Sequence, residues 1–528
     1  MTPPDSASDS AMAMALELRG IDKRFGDVHA NKDINLQVRQ GTIHGIVGEN
    51  GAGKSTLMSI IYGFYAADKG DVLVDGQVLD IKDSKTAINA GIGMVHQHFM
   101  LIQNFTALEN VILGAEDGIA IETSLSKARR EMERLASEYQ LNVPLDVPVE
   151  ELSVGYQQRI EILKALYRGA RILILDEPTG VLTPQETEHL FKVLESLKQQ
   201  GTTVILITHK LREIMAATDE VSVMRRGEMV AHLKTADTSQ EDLAELMVGR
   251  KVLLRVEKGE AEPGDVKLAA RHISLTDGQG VKRLNDVSLQ VRAGEIVGIA
   301  GVSGNGQSEL LEALAGIRRI DSGELYLNGE TVTADTAIDP EKVRQLGVGH
   351  IPEDRHRMGL INTFSAYEAF VLGYHRDASY NSGVLMSQKA MIDDCQAKMA
   401  SWDVRPPDPF LKTANFSGGN QQKLVIAREV EQGHDVMLIG QPTRGVDIGA
   451  IESIHKRILE MRDAGKAILL VSVELDEIRS LADRILVMFD GIIVGEVPAD
   501  KADERTLGLM MANIVPDEIK ALQAEASA

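Results

Sequence analysis

The sequence lacks several features that would direct its function elsewhere. It has one cysteine, Cys395, among 528 residues, so it cannot form an intramolecular disulfide, as is typical of a protein in a reducing compartment. No nucleophile motif surrounds Cys395, and clustered zinc ligands are also missing. No uninterrupted apolar run reaches the roughly 18 residues that a membrane span requires. We therefore expect the chain to act at a membrane only through partners.

Positive charge is also scarce. The chain has 56 Lys and Arg against 78 Asp and Glu, a formal net charge of −22. Nucleic-acid-binding proteins usually carry a basic patch, so we expect no nucleic-acid partner. Residues 1–13 lack the basic, apolar pattern of a signal peptide, and we expect a disordered tail at 1–13 and a C-terminal tail at 516–528 that frays from about Asp517.

What the sequence does contain is a long internal repeat. Its paired segments occur in the same order in both halves: 34–41 with 287–294, 48–56 with 301–308, 91–97 with 347–353, 153–159 with 417–423, and 172–178 with 436–442. A repeat of this length indicates a tandem domain array. We predict one domain at 14–250, a charged Gly- and Pro-rich linker at 251–265, and a second domain at 266–515. Apolar strand-like runs alternate with helical stretches, which predicts an α/β fold with a largely parallel sheet in each domain.

The first copy of the repeat contains a glycine-rich phosphate loop. A predicted strand at 42–47 precedes it and a predicted helix follows it, which is the context that such a loop requires. The backbone N–H groups of the loop wrap phosphates, Lys54 reaches the β- and γ-phosphates, and Ser55 ligates Mg²⁺. The predicted ATP-binding residues of this loop are Gly48, Glu49, Asn50, Gly51, Ala52, Gly53, Lys54, Ser55 and Thr56.

Four further side chains follow apolar strands of the first copy. Asp176 is suited to hold Mg²⁺, and Glu177 to polarise an attacking water. His209 follows the next strand, where it is suited to contact the γ-phosphate, although a lone histidine is more often structural. The amide of Gln97 is suited to reach both Mg²⁺ and the water. An Asp-Glu pair in isolation is commonly a surface turn, but the preceding strand favours the functional interpretation.

These residues together resemble the ATP-binding cassette (ABC) ATPases. The resemblance rests on the phosphate loop combined with a signature that contains Ser417, Gly418, Gly419 and Gln421. It implies that Gln97 is the Q-loop glutamine, that His209 is the switch histidine, and that Phe25 stacks on adenine, with a surface phenylalanine as the alternative. It also implies two tandem P-loop NTPase domains, each with a mainly parallel core sheet, an antiparallel β portion and a helical subdomain.

The resemblance also implies that the two domains pair head to tail, each ATP lying between one phosphate loop and the other domain's signature. One composite site then combines the loop of domain 1 with Ser417 and the D-loop residue Asp447. The other site collects the losses: Gln307 replaces the lysine, and Val154 in its signature replaces a glycine. Glu353 takes the glutamine position, where it repels γ-phosphate unless a metal or Arg355 offsets its charge. The residues of this degenerate site are Gly301, Gly304, Gly306, Gln307, Ser308, Glu353, Gly440, Gln441, Val473 and Ser153.

The narrower resemblance is to the tandem ATPase subunits of bacterial sugar and nucleoside importers. Segments 416–423 and 442–447 are shared features of that group, and 94–100, 152–159 and 351–357 are most similar to its nucleoside branch. This implies an ATP- and Mg²⁺-dependent ATPase, peripheral at the cytoplasmic face of the inner membrane. Its implied partners are two transmembrane permease subunits and, indirectly, an extracytoplasmic substrate-binding lipoprotein. The alternatives are a ribose- or galactose-type importer and, more distantly, a ribosome- or nucleic-acid-associated tandem ATPase.

Overall fold

The chain divides into two units, Met1–Val252 (unit 1) and Leu253–Ala528 (unit 2). The computed structural model describes residues 13–26, 28–96, 99–114, 121–180, 182, 184–251, 256, 258–302, 304–336, 338–382, 385–446 and 448–520. The predicted tail at 516–528 and the linker lie only partly within this range, as does the tail at 1–13. Gln97 and Asp447, predicted above as the Q-loop glutamine and the D-loop aspartate, lie outside it.

Unit 1 contains ten strands and eight α-helices within its described residues. In chain order they are β1 (Met14–Phe25), β2 (Val28–Arg39), β3 (Ile43–Gly48), α1 (Lys54–Ile61), β4 (Lys69–Val74), β5 (Gln77–Val78), α2 (Ser84–Asn89), β6 (Ile92–Val95), α3 (Ala107–Ile112), α4 (Ile121–Glu138), α5 (Val154–Tyr167), β7 (Ile172–Asp176), α6 (Pro184–Gln199), β8 (Thr203–Ile207), α7 (Leu211–Ala217), β9 (Glu220–Arg225), β10 (Glu228–Lys234) and α8 (Gln240–Val248).

Unit 2 repeats this order with an added short hairpin, β17–β18. Its elements are β11 (Val266–Thr276), β12 (Lys282–Arg292), β13 (Glu295–Ala300), α9 (Gln307–Leu314), β14 (Ser322–Leu327), β15 (Glu330–Thr333), α10 (Pro340–Gln345), β16 (Val348–Ile351), α11 (Ala366–Phe370), β17 (Asn381–Ser382), β18 (Leu385–Met386), α12 (Gln388–Ser401), α13 (Gly418–Val430), β19 (Val436–Gly440), α14 (Ile448–Asp463), β20 (Ala467–Val471), α15 (Leu475–Leu481), β21 (Arg484–Phe489), β22 (Ile492–Pro498) and α16 (Glu504–Met511).

The core sheets of the two units have the same strand order. In unit 1 the order is β10-β9-β3-β8-β7-β6, and in unit 2 it is β22-β21-β13-β20-β19-β16. All pairs are parallel except the hairpins β9–β10 and β21–β22. Every residue of β3, β8, β13, β19 and β20 is buried, as expected of parallel strands covered on both faces.

A second, antiparallel sheet of four strands lies in each unit, in the orders β2-β1-β4-β5 and β12-β11-β14-β15. Buried Ile34, Leu36 and Val38 alternate with exposed polar residues along β2, because one face of such a sheet packs on the core. Helices α3, α4 and α5 pack on one another in unit 1, and α11, α12 and α13 do so in unit 2. The predicted parallel core, antiparallel portion and helical part are thus present in both units.

Within the described residues, no helix is long and apolar enough to cross a bilayer. Cys395 is buried in the apolar core of unit 2, and burial raises the pKa of its thiol to about 12.

Candidate nucleotide site

The phosphate loop of unit 1 connects the buried strand β3 to α1, as the sequence predicted. Gly51 and Gly53 have φ angles of 80° and 100°, in the left-handed region that favours glycine. A Cβ at Gly53 would lie 2.3 Å from the carbonyl oxygen of Ala30 on β2, so no larger residue fits at this position without displacing backbone. Asn50, Gly51 and Ser55 are exposed around the loop, whereas Gly48, Ala52 and Lys54 are buried.

Lys54 lies inside this loop. Its ammonium donates to the carbonyl oxygens of Gly48 at 2.6 Å and Glu49 at 3.1 Å. Burial lowers the pKa of Lys54, and the nearby carboxylates of Glu177 and Asp176 oppose that shift. The positive charge of Lys54 therefore lies at the phosphate loop, close enough to Asp176 and Glu177 at the end of β7 for their charges to affect its pKa.

Asp176 and Glu177 stand at the carboxyl end of β7, next to β8. Burial, together with the adjacent charge of Glu177, raises the pKa of Asp176 to about 6, although Lys54 acts in the other direction. Glu177 has a φ of 48°, and its N–H donates to the carbonyl of Ile207 at 2.8 Å. The turn thus places two carboxyl groups at one edge of the sheet, where their negative charges repel each other. A bound cation would offset that repulsion.

His209 contacts Glu177 directly. Its Nδ1 lies 2.8 Å from Oε1 of Glu177. Burial acts to raise the pKa of Glu177, but the contact with His209 and the charges of His209, Lys54 and Lys210 outweigh burial and lower the pKa. Glu177 is therefore held as a carboxylate beside the phosphate loop.

The structure adds a residue that the sequence did not indicate, Glu213 on α7. Its carboxylate accepts from Thr208 Oγ1 at 3.0 Å and also from Thr179 Oγ1. Thr179 follows the turn of Glu177, and Thr208 precedes His209, so Glu213 ties the two turns together. Burial raises the pKa of Glu213, and Lys210 and the two hydroxyls oppose that shift. An acid early in a short helix resembles any surface residue in sequence, so no pattern marked it.

Phe25 is the last residue of β1, and 42% of its surface is exposed. Tyr65 meets its ring edge to face at a centroid distance of 5.1 Å, and Lys23 Nζ lies 5.5 Å from its centroid. Phe25 pairs with Val28 in the hairpin to β2, the strand that meets Gly53 at Ala30. The sequence had identified Phe25 but not Tyr65.

The phosphate loop of unit 2 has two left-handed glycines like that of unit 1, but a different side chain fills its interior. Gly304 and Gly306 have φ angles of 92° and 103°. Gln307, 4% exposed, donates from Nε2 to the carbonyl of Val302 at 3.1 Å. A Cβ at Gly301 would lie 2.0 Å from that amide nitrogen, so Gln307 fills the interior of the loop. A neutral amide thus occupies the position that the Lys54 ammonium holds in unit 1.

Glu353 occupies the room that an aspartate would need in unit 2. Its carboxylate accepts a hydrogen bond from Ser308. A Cβ at Gly440, the counterpart of Asp176, would lie 2.5 Å from Glu353 Cγ. Gln441, the counterpart of Glu177, is buried and accepts from the N–H of Val473 at 3.3 Å. The region around Gly440 and Gln441 therefore has no counterpart of the acids Asp176 and Glu177, and the carboxylate of Glu353 is bonded to a serine.

The two signatures begin helices α5 and α13. Ser417 precedes α13 and accepts from Asn420 Nδ2 at 2.8 Å, while Gly418 and Gly419 open the helix. Gln421 is buried and donates to the carbonyl of Thr413 at 2.9 Å, so its amide turns inward.

In unit 1, Ser153 precedes α5, and the Val154 side chain is 38% exposed where unit 2 has a glycine. The apolar valine therefore stands at the surface of this signature.

Of the two groups named as able to offset the charge of Glu353, Arg355 makes its described hydrogen bonds elsewhere. The Arg355 guanidinium donates to the carbonyl of Arg444 at 2.7 Å and to Gln421 Oε1 at 3.4 Å. The described hydrogen-bond donor to the Glu353 carboxylate is Ser308.

Comparison with known proteins accounts for both copies of this site. The ABC transporter family model matches residues 31–180 and 284–444, more than half of the chain. The guanosine import ATP-binding protein NupO of Bacillus subtilis is 45% identical over 96% of this chain and 99% of its own length. The nucleoside import ATP-binding protein NupA of Lactococcus lactis is 44% identical, covering 94% and 97%.

A glucose import ATP-binding protein, TsgD13 of Haloferax volcanii, is likewise 44% identical, covering 94% of this chain and 95% of its own length. Matches of this extent, together with the two glycine loops and their parallel sheets, show that the chain belongs to the ABC transporter family, as an ATP-hydrolysing subunit built from two tandem P-loop NTPase domains.

Proposed function

We propose that this chain energises a nucleoside importer from a single competent ATP site. One observation carries the assignment of that site. Lys54, Asp176, Glu177 and His209 converge at one sheet edge of unit 1, with His209 2.8 Å from Glu177. The corresponding edge of unit 2 has lost the lysine, both acids and the histidine. The proposed domain bounds are 14–250 and 266–515, joined by the linker 251–265.

We infer that ATP binds on the loop from Gly48 to Thr56, with adenine against Phe25. The left-handed glycines and the start of α1 favour phosphate there, because backbone N–H groups and the helix dipole attract anions. The oxygen ligands also suit Mg²⁺. Asp176 is a buried carboxyl beside the negative charge of Glu177, and a bound cation would offset the repulsion between the two carboxylates. Ser55, Asp176 and Gln97 are the proposed ligands, and Mg²⁺ supplies neutralisation of charge on the phosphate oxygens.

Glu177 is proposed to orient and polarise the attacking water. The contact with His209 and the nearby cations keep it ionised, which is the state that this role needs. His209 is proposed to hold Glu177 and to contact the γ-phosphate through its other ring nitrogen, while Lys54 stabilises charge on the β- and γ-phosphates. Catalysis of this kind is mostly positioning and electrostatic stabilisation.

The site is proposed to be completed by unit 2, through the signature Ser417, Gly418 and Gly419 with Asp447. Two features support this direction of pairing. The intact signature belongs to the unit whose own acids are lost, and the signature of unit 1 has Val154 where close backbone approach to phosphate needs glycine. The second composite site, with Ser153, would then bind nucleotide without hydrolysing it or serve as a scaffold.

The proposed partners are two permease subunits and, indirectly, an extracytoplasmic binding protein, with the chain peripheral at the cytoplasmic face of the membrane. The nucleoside assignment is supported by the relatives from Bacillus subtilis and Lactococcus lactis. A sugar importer is the second candidate, since the Haloferax volcanii relative named for glucose import is equally similar.

Two measurements test the proposal. In the reconstituted complex, Glu177→Gln and Ser417→Ala should each remove most ATP turnover, by about 10²-fold or more, while Ser153→Ala should change it little. Equal losses at Ser153 and Ser417 would contradict the single-site assignment. Uptake is then measured with nucleosides, ribose and galactose. Uptake of sugars without nucleosides would replace the substrate assignment and leave the site assignment standing.

A further inference from the structure

Arg355 lies where three segments of unit 2 meet, although it belongs to none of the ATP-binding motifs. It follows Glu353 after β16 and begins a single π-helical turn, Arg355–Gly359. Asp354 caps that turn by accepting from the N–H groups of His356 and Arg357. The cap holds the backbone at the start of this turn, and the Arg355 side chain is half-buried.

The guanidinium bridges the signature and the turn after β19. It donates to the carbonyl of Arg444 in that turn and to Gln421 in the signature helix α13. A Cβ at Gly418 would lie 2.9 Å from Arg355 Nη2 and 3.0 Å from the carbonyl oxygen of Gly445. The signature glycine, the turn and the guanidinium thus lie close together, and a side chain at position 418 would have to displace the guanidinium from this place.

The same three positions differ together in unit 1. In the repeat alignment Arg355 corresponds to Phe99, Gly418 to Val154, and Gly445 to Val181. A planar cation and the two glycines that admit it occur in one unit, and three apolar side chains occur in the other. The set accompanies the signature that we assign to the hydrolytic site, and it is missing where that signature is degenerate.

We propose that Arg355 is a positioning residue that locks the signature at Gly418 to the turn at Arg444 and Gly445, so that Ser417 at the start of α13 is held in a fixed position relative to that turn. The proposal rests on the composite site of the proposed function. Arginine suits this role because its rigid fork of donors reaches two acceptors at once, whereas the single ammonium of lysine does not reproduce the fork.

The test is steady-state ATP hydrolysis by the full chain assembled with its permeases. Arg355→Ala should lower kcat by about 10- to 100-fold and change KM for ATP by less than about threefold, because it misplaces groups that act across the site while the phosphate loop of unit 1 stays intact. Arg355→Lys should recover little of the loss. Arg376→Ala, which removes an exposed arginine paired with Glu341, is the matched control and should retain the parent rate.

A double variant separates positioning from general damage. If Arg355 acts through the signature, Ser417→Ala with Arg355→Ala should be no slower than Ser417→Ala alone. Multiplying losses, or a kcat for Arg355→Ala close to the parent, would overturn the proposal. Should the alanine variant melt early, Arg355→Lys, which keeps the stem and the charge, decides by the same comparison. A Ser417→Ala variant with parental turnover would instead refute the composite site itself.

Discussion

The turns after β7 and β19 have the same backbone and opposite chemistry. Glu177 and Gln441 both have a φ of 48°, and both N–H groups donate at 2.8 Å to the neighbouring strand. Glu177 faces His209 as a carboxylate, whereas Gln441 caps the N–H of Val473 as a neutral amide. The fold of the site has thus been kept where its charges have been lost, which is expected of a unit retained for its shape and its signature.

The largest expected effect comes from exchanging the residues at the phosphate loops. Lys54→Gln gives unit 1 the residue of unit 2 and should lower ATP turnover by about 10²-fold or more, because a charge on the phosphates is lost. The reciprocal Gln307→Lys should leave turnover nearly unchanged, because Gly440 and Gln441 still supply no acid. Turnover is measured by phosphate release. A gain of turnover in Gln307→Lys would place a hydrolytic role in unit 2.

A smaller effect is expected at the histidine. His209→Val, again the residue of unit 2, removes the contact that helps hold Glu177 ionised and oriented, so we expect about a 10- to 100-fold loss of kcat. Val473→His is its control, and it should have no effect because its partner position is Gln441. A kcat for His209→Val near the parental value would show that Glu177 is oriented without His209.

The third comparison concerns packing at Gly440. Gly440→Ala should destabilise unit 2 by about 1–3 kcal/mol, because the new Cβ meets Glu353 Cγ at 2.5 Å and Leu311 Cδ1 at 2.9 Å. Adding Glu353→Ala should recover part of the loss. Gly278→Ala is the control, since a Cβ there meets nothing within 4 Å. The measurement is denaturant unfolding followed separately for each unit, and equal losses in the two glycine variants would contradict the steric interpretation.

Local pattern predicted the framework of this site well. The strand predicted before His209 is β8, and the strand predicted before Asp176 is β7, which includes Asp176 as its last residue. Parallel strands also explain why the predicted acids and histidine meet at one edge. The contacts that organise them were not predictable in the same way. Thr179 meets Glu213 across 34 residues, and Arg355 meets Arg444 across 89.

Glu353 shows a second limit of sequence reasoning. Taken alone, it replaces a glutamine and adds charge near the phosphates. In the structure its stem also fills the space above Gly440, so the two substitutions form one packing unit. The two substitutions are linked by the space that their side chains share in the folded unit. A comparison of aligned motifs treats each substitution separately and does not reveal that link.

The smallest expected effect is a pH dependence confined to unit 2. His350 on β16 corresponds to Met94 on β6. Burial lowers the pKa of His350 to about 4, with Arg344 and Arg428 acting in the same direction and Glu429 against it. In the unfolded chain the pKa returns to its ordinary value of about 6.5, so the unfolded state binds the proton first as the pH falls. Stability from this residue is therefore complete above about pH 6.5 and lost progressively toward pH 4.

His350→Met should remove that dependence. At pH 5 we expect unit 2 of the parent to have lost on the order of 1 kcal/mol relative to pH 7.5 through this histidine, and the variant to have lost correspondingly less. The comparison is the difference in unfolding free energy between the two pH values, measured for parent and variant, with unit 1 in the same molecule as the internal reference. The other acid-sensitive groups of unit 2 are common to both proteins and cancel in that difference. An identical pH dependence in parent and variant would mean that His350 is protonated as readily in the folded unit as in the unfolded chain.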